Sequence, residues 1–196
     1  GPGEDDTWRI IEAQLIPKIK SPEHITKFRA IAIIPVLQKL YSRILARLAL
    51  NLDSLKGPQF AFRESHQAGE VHFLLRLVIK RSLEWNTGLF IADGDVYKAY
   101  DEITYGLLCR AAERRNVQRV VLGAWLRELV CQGCVFKLDR NCQSKTIFRT
   151  KSLLQGDTAA PRLFNLAFDL PISDFEQYCH NNNLGLLLDG HKRLSI

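Results

Sequence analysis

The sequence predicts an α+β fold with a small antiparallel sheet packed with helices. Three observations carry this expectation. Segments of helical period and of strand alternation follow one another without a regular βαβ rhythm. Residues 134–149 alternate as a hairpin. The chain has 196 residues, 46% hydrophobic and 24% charged, enough ordinary globular sequence to bury a core. No apolar run approaches bilayer length and no signal peptide is visible, so no membrane partner is expected.

The elements follow in order. From Trp8 to Ile19 apolar and polar residues alternate, ending in the basic turn Pro17-Lys18. Arg29 to Ile34 is a β-branched strand closed by Pro35. From Val36 the period changes: Leu37, Leu40, Tyr41, Ile44, Leu45, Leu48 and Leu52 mark the inner face of a helix. Lys39, Arg43 and Arg47 form a row on its other face, suited to solvent or to a nucleic-acid backbone. Leu55-Lys56-Gly57-Pro58 breaks the chain. A second helix is predicted from about Glu64 to Leu83, with Val71, Leu74, Leu75, Val78 and Ile79 inward. Asn86-Thr87-Gly88 turns into an apolar strand, Leu89 to Ala92. Two helices follow, over 102–115 and about 117–130, and then the hairpin around Asp139-Arg140-Asn141. Gly156 starts a loop, and Pro161 begins a helix running toward Tyr178.

The formal charge of +6 is uneven. Residues 8–85 carry 13 Lys and Arg against 6 Asp and Glu, whereas Glu4, Asp5 and Asp6 make an acidic start. The basic region suits a polyanion or a solvated surface equally. Five irregularly spaced cysteines argue against a disulfide framework and fit a reducing, intracellular setting. Cys131-Gln132-Gly133-Cys134 has zinc-knuckle spacing without a second pair, which favours buried thiols. There is no methionine, and the final stretch from Leu184 ends without a capped element, so a segment of a longer protein is expected.

Two stretches carry chemistry. Asp93-Gly94-Asp95-Val96-Tyr97-Lys98-Ala99-Tyr100-Asp101 follows the predicted strand. On a strand Asp93 and Asp95 would share a face, about 7 Å apart, repelling by roughly 2–3 kcal/mol unless solvent or a hard cation intervenes. Mg²⁺ suits such oxygens, and Asp101 is placed to cap the next helix. The second stretch, Leu153-Leu154-Gln155-Gly156-Asp157-Thr158-Ala159-Ala160-Pro161-Arg162-Leu163-Phe164-Asn165, is a small-residue loop entering a helix. Gly156 permits close backbone approach, and the small side chains leave room for a planar ligand.

Together these stretches resemble motifs A and B of reverse transcriptases, the RNA-directed DNA polymerases of non-LTR retrotransposons and group II introns. Asp95 to Asp101 matches an Asp, three residues, then Ala-aromatic-Asp. Gln155-Gly156, four residues, Pro161, one residue, then Leu163-Phe164 matches motif B. Gln59 to Arg63 is similar to the family's Gln-x-Gly-Phe-Arg, with Ala61 for glycine. Phe28 to Ile31, followed by Leu37 to Leu40, is similar to a fingers segment and its sequel. The four lie in the family's order across about residues 15–170, and motif B is the most specific.

The resemblance implies the fingers and partial palm of a right-hand polymerase. Fingers would span 8–85, palm with motif A 86–115, a connection with hairpin 116–150, and palm with motif B 151–196, without a thumb. Asp95 would be the catalytic, metal-bound carboxylate, with two Mg²⁺ (or Mn²⁺) in the complete enzyme. Arg29 and Lys18 would pair with the triphosphate. Tyr100 would stack beneath the sugar and crowd a 2′-hydroxyl, favouring dNTPs. Gln155 and Gly156 would line the pocket beside the template base. An RNA template, a DNA primer and the rest of the polymerase chain would be partners, in the nucleus of a eukaryote or the cytoplasm of a bacterium. Asp93, Thr158 and Ala160 depart from the usual pattern. The Asp-Asp of motif C is not found after motif B, so this chain alone is expected to polymerise nothing measurable. A degenerate nucleic-acid-binding module is the alternative. A viral RNA-dependent RNA polymerase fits less well, because its motif B usually presents Ser-Gly.

Overall fold

The computed structural model describes residues 9–49, 59–63, 65–130, 132–139, 142–189 and 192–194. Expectations for Glu4 to Asp6, Trp8, Leu52, Leu55 to Pro58, Glu64, Cys131 and the turn Arg140-Asn141 lie outside these residues. The chain divides into two compact units, one drawn from residues 1–51 and 98–167, the other from 52–97 and 168–196.

The first unit is built on a five-stranded sheet. Strand β1 (Ile10–Pro17) alternates, with Ile11 and Ala13 buried between exposed Ile10, Glu12 and Gln14. It pairs antiparallel with β2 (Phe28–Ile33), from Glu12 opposite Ile33 to Pro17 opposite Phe28. A 3-10 turn, Ile25–Lys27, precedes β2. On its other side β1 runs parallel to β3 (Gly133–Asp139), Ile10 opposite Gly133. This parallel pair is the departure from the antiparallel expectation, and the long helical connection between the strands permits it. β4 (Cys142–Gln143) and β5 (Ile147–Phe148) both pair antiparallel with β3, so the expected hairpin is present. Ile11, Ala32, Ile34 and Leu154 form a core cluster on the sheet.

Helix α1 (Val36–Ala49) sits where expected, but its buried face differs. Gln38, Ser42, Leu45, Ala46 and Ala49 are inward, while Leu37, Leu40, Ile44 and Leu48 are 48–63% exposed. The inward face carries mostly small or polar side chains, which let the loop before Ala160 approach α1 closely: Thr158 Oγ1 donates to the Lys39 carbonyl at 3.2 Å. The apolar period marks a true helix but not the docked side.

Helices α3 (Tyr105–Arg114) and α4 (Arg119–Val130) pack by Leu108, Ala111, Ala112, Val121, Trp125 and Leu129. The Tyr105 hydroxyl donates to the Leu129 carbonyl at 3.1 Å. Asp101 does not cap α3. Thr104 does, its hydroxyl accepting from Leu107 N–H at 3.2 Å, because α3 begins at Tyr105 and Asp101 lies three residues ahead of the cap position, in a turn that bonds its N–H to the Lys98 carbonyl. Asn116, at φ 53°, ends α3 in the left-handed region that asparagine tolerates.

In the second unit, α2 (Ala68–Glu84) starts later than expected. Gln67 and Glu70 form a reciprocal cap there, Gln67 N–H donating to Glu70 Oε1 at 2.8 Å. Only Ser82 of this helix is fully buried, so the expected inward row from Val71 to Ile79 is at most half-buried. Helix α5 (Ala160–Asn181) begins in the first unit and carries Pro171 in its interior. β6 (Leu186–Asp189) and β7 (Lys192–Leu194) pair antiparallel.

The predicted strand from Leu89 to Ala92 is not formed. Residues 87–96 have no regular structure, and Phe90 is 100% exposed. A strand needs a ladder partner, and none pairs with this stretch among the described residues. Gly88, Gly94 and two like-charged aspartates weaken its own preference for extension.

Candidate functional site

β2 is an edge strand, so one row of its backbone groups faces away from β1. Ala32 N–H donates outward to the Gln155 carbonyl at 2.8 Å, seating the loop 152–159 along that edge. Gly156 follows at φ 113°, and a Cβ there would stand 2.4 Å from the Ala32 carbonyl oxygen. Only glycine permits both the conformation and the approach. Leu153 and Leu154 anchor the loop from below.

The same loop is tied to the end of the acidic stretch. Leu153 N–H donates to the Tyr100 carbonyl and Ser152 N–H to the Ile103 carbonyl, both at 2.9 Å. The Tyr100 ring meets Phe164 of α5 edge to face, centroids 5.4 Å apart at 84°. Burial pushes the Tyr100 phenol above its ordinary value, so it stays neutral at physiological pH.

These ties leave a pocket of about 360 Å³, lined by Arg29, Ile31, Tyr100, Leu154, Gln155, Gly156, Asp157, Ala160 and Pro161. Its size suits a small ligand. Arg29 and Ile31 enter from one face of β2 because residues two apart on a strand share a side. Arg29 is exposed and brings a cation. Burial pushes the Asp157 carboxyl up, opposed by the Ala159 N–H, the Ser42 hydroxyl, Arg149 and Lys39. Burial likewise lowers Arg149, whose guanidinium donates to Gln132 Oε1 at 2.7 Å and to the carbonyl and hydroxyl of Ser152.

Four of the six residues singled out in the sequence, Arg29, Tyr100, Gln155 and Gly156, therefore line one pocket. Lys18 does not; it sits exposed after β1, its N–H donating to the Lys27 carbonyl at 2.8 Å. Asp95 is exposed in the irregular stretch 87–96 of the second unit, with Asp93 two residues before it. Sequence reasoning passed over Ile31, Ser42 and Asp157. A polar i, i+4 pair, Gln38 and Ser42, inside a buried helix face was the available signal for Ser42.

Two Mg²⁺ ions require a cluster of oxygen donors. Among the described residues no group of three or more His, Cys, Asp or Glu stands close enough to hold one ion. Cys134 and Cys179 are buried, Cys109 is half-buried and Cys142 exposed, each a free thiol. The two-ion arrangement does not fit the described residues.

Residues 16–189 match the family described as Reverse transcriptase (RNA-dependent DNA polymerase). The chain is also similar to the Retrovirus-related Pol polyprotein from type-1 retrotransposable element R2 of Popillia japonica. The two are 26% identical over 162 residues, covering 83% of this chain and 23% of that protein. The protein of the same description from Nasonia vitripennis is 26% identical over 187 residues, covering 91% of this chain and 17% of its own length. The chain thus spans about a fifth of the relatives it matches.

Proposed function

The chain belongs to the reverse transcriptase (RNA-dependent DNA polymerase) family, and we propose that it forms the nucleotide-receiving part of a non-LTR retrotransposon polymerase. One observation carries the reading: a cation, an aromatic ring and a glycine-bearing backbone turn converge on a single pocket. Arg29 pairs with the triphosphate of the incoming nucleotide through its planar fork of donors. The Tyr100 ring lies under the sugar and leaves no space for a 2′-hydroxyl. Gln155 and Gly156 flank the templating base, the glycine turn being seated against the Ala32 carbonyl of β2. Lys18, near the β1–β2 turn, adds a cation for the phosphates or the template strand. RNA template, DNA primer and dNTP are the partners. In this reading residues 8–85 belong to the fingers, 86–115 and 151–196 to the palm, and 116–150 to their connection.

Reverse transcriptase domains use divalent metals, and Asp95 is the carboxylate that motif A offers. Among the described residues no group of three or more His, Cys, Asp or Glu includes it. The 196 residues by themselves are therefore proposed to receive nucleotide without extending a primer. A photoreactive dATP analogue tests the pocket directly. Labelling is expected in peptides containing Arg29 to Ile31 and Leu154 to Pro161, and to fall about tenfold in Arg29→Ala; labelling only elsewhere would end the assignment.

The second reading, a nucleic-acid-binding module without catalysis, is favoured by the 13 Lys and Arg against 6 Asp and Glu of residues 8–85. It predicts steeply salt-dependent RNA binding with no dATP labelling of the pocket. Extension of a DNA primer on an RNA template by a longer protein containing these residues, and its loss in Asp95→Ala, would exclude that reading.

A further inference from the structure

The loop carrying Gln155 and Gly156 touches two elements that approach from different directions. On one side Ala32 N–H of β2 holds the Gln155 carbonyl at 2.8 Å. On the other side the next two residues reach α1. The Ser42 hydroxyl donates to the Asp157 carboxylate, and Thr158 Oγ1 donates to the Lys39 carbonyl at 3.2 Å. The same carboxylate turns forward, its Oδ1 accepting Ala159 N–H at 3.0 Å just before α5 begins at Ala160. One side chain thus joins α1, the loop and the entry to α5. The feature is unusual because the carboxylate is mostly buried and receives its donors from neutral groups. Arg149 and Lys39 are the cations near it, and Glu128 of α4 is the nearby acid.

We infer that Asp157 is a positioning residue that fixes the seating of Gln155 and Gly156 in the nucleotide pocket by tying the loop to helix α1 through Ser42. The inference rests on the proposed function for what the pocket receives, but not for the mechanical link. Asp157 does not have to touch a nucleotide. Its work is to hold the far end of a loop whose near end is held by Ala32. With both ends fixed, the turn at Gly156 keeps the close approach that its φ of 113° allows. Loss of the Ser42 end leaves the Thr158 hydroxyl as the loop's remaining bond to α1. An oxygen acceptor toward Ala159 and a polar partner toward Ser42 are the requirement, so asparagine satisfies both: its carbonyl accepts from Ala159, and its amide donates to the hydroxyl.

Amide hydrogen exchange on the 196-residue chain, read residue by residue, tests the link. In Asp157→Ala the Ala32 and Ala159 amides are expected to exchange about tenfold faster, while Leu108 and Trp125 in the helical core keep their rates. Ser42→Ala is expected to give a smaller change at the same two amides, and Asp157→Asn to restore most of the protection. An unchanged Ala32 rate in Asp157→Ala would overturn the link. So would a uniform rise that includes Leu108 and Trp125, since that reports only lost stability. In parallel, photolabelling by the dATP analogue is expected to fall in Asp157→Ala and to return in Asp157→Asn. Failure of the wild-type chain to label would count against the proposed function, while the exchange rates still decide the positioning role.

Discussion

The loop 152–161 lies in the match to motif B and the stretch 87–96 ends on Asp95 and Val96, the first residues of the match to motif A, yet the two are held very differently. The loop is anchored on three sides: by Ala32 of β2, by the carbonyls of Tyr100 and Ile103, and by Ser42 and Lys39 of α1. The acid-bearing stretch has no regular structure, exposes Phe90 completely, and keeps both Asp93 and Asp95 at the surface. A motif specifies which chemical groups are present, whereas geometry comes from backbone partners. Where partners surround the motif, its side chains converge. Where no ladder partner is supplied among the described residues, the same kind of motif is only a list of groups.

Glycine substitutions give the largest expected contrast. Gly156→Ala forces a Cβ to 2.4 Å from the Ala32 oxygen at φ 113°, and should cost about 3 kcal/mol in chemical denaturation. A loss below about 1 kcal/mol would mean that the loop is not pinned to β2. Tyr100→Ala removes the edge-to-face contact with Phe164 and should cost about 1–2 kcal/mol by the same measurement. In the photolabelling assay it should also erase any preference for dATP over ATP; preserved discrimination would remove Tyr100 from the sugar site.

The third contrast is one of sign. Burial raises the Asp157 carboxyl above its ordinary value of 3.8. A group raised on folding contributes stability that is fully present below its unfolded pKa and is lost as pH rises through its folded pKa. The stability difference between wild type and Asp157→Asn should therefore move in favour of the variant as pH increases across that window. Thermal unfolding at several pH values checks this, and a difference that does not vary with pH would contradict it. The smallest effect belongs to the other region. A Cβ on Gly94 meets nothing within 4 Å, so Gly94→Ala should leave stability within about 0.5 kcal/mol. A larger loss would show that the acidic stretch is held by contacts like those of the loop.

Much of this layout was legible because local periods are strong. β1, β2, helices α1 to α5 and the hairpin follow from alternation, three-four spacing and turn residues. Gly156 and Pro161 punctuate the loop as their chemistry requires. The docked face of α1 was not legible, since hydrophobic period identifies the apolar side and here the smaller, more polar side admits the loop. The strand expected at Leu89 to Ala92 failed for a related reason: four apolar residues specify a preference, while a strand exists only with a neighbour to bond. Asp101 lost its predicted cap to Thr104 because the helix starts at Tyr105, after a turn that holds Asp101 three residues short of the cap position. The approach of Arg29 to Gln155 is a long-range consequence of sheet order, which residue spacing does not encode.

The parallel register of Ile10 with Gly133 also sets the order in which a newly made chain can assemble. The β1–β2 pair closes across a short turn and can form as soon as residues to about 33 are free. β1 then waits for β3 while helices α1 to α4 are synthesised, on the order of 10 s at typical elongation rates. During that interval the strand that will become the middle of the sheet is itself an edge, with Ile11 and Ala13 lacking one neighbour. Closing so long a loop costs little extra in equilibrium stability but delays folding. The Gln155 carbonyl arrives later still, so the pocket beside Gly156 is among the last parts of its unit to be completed.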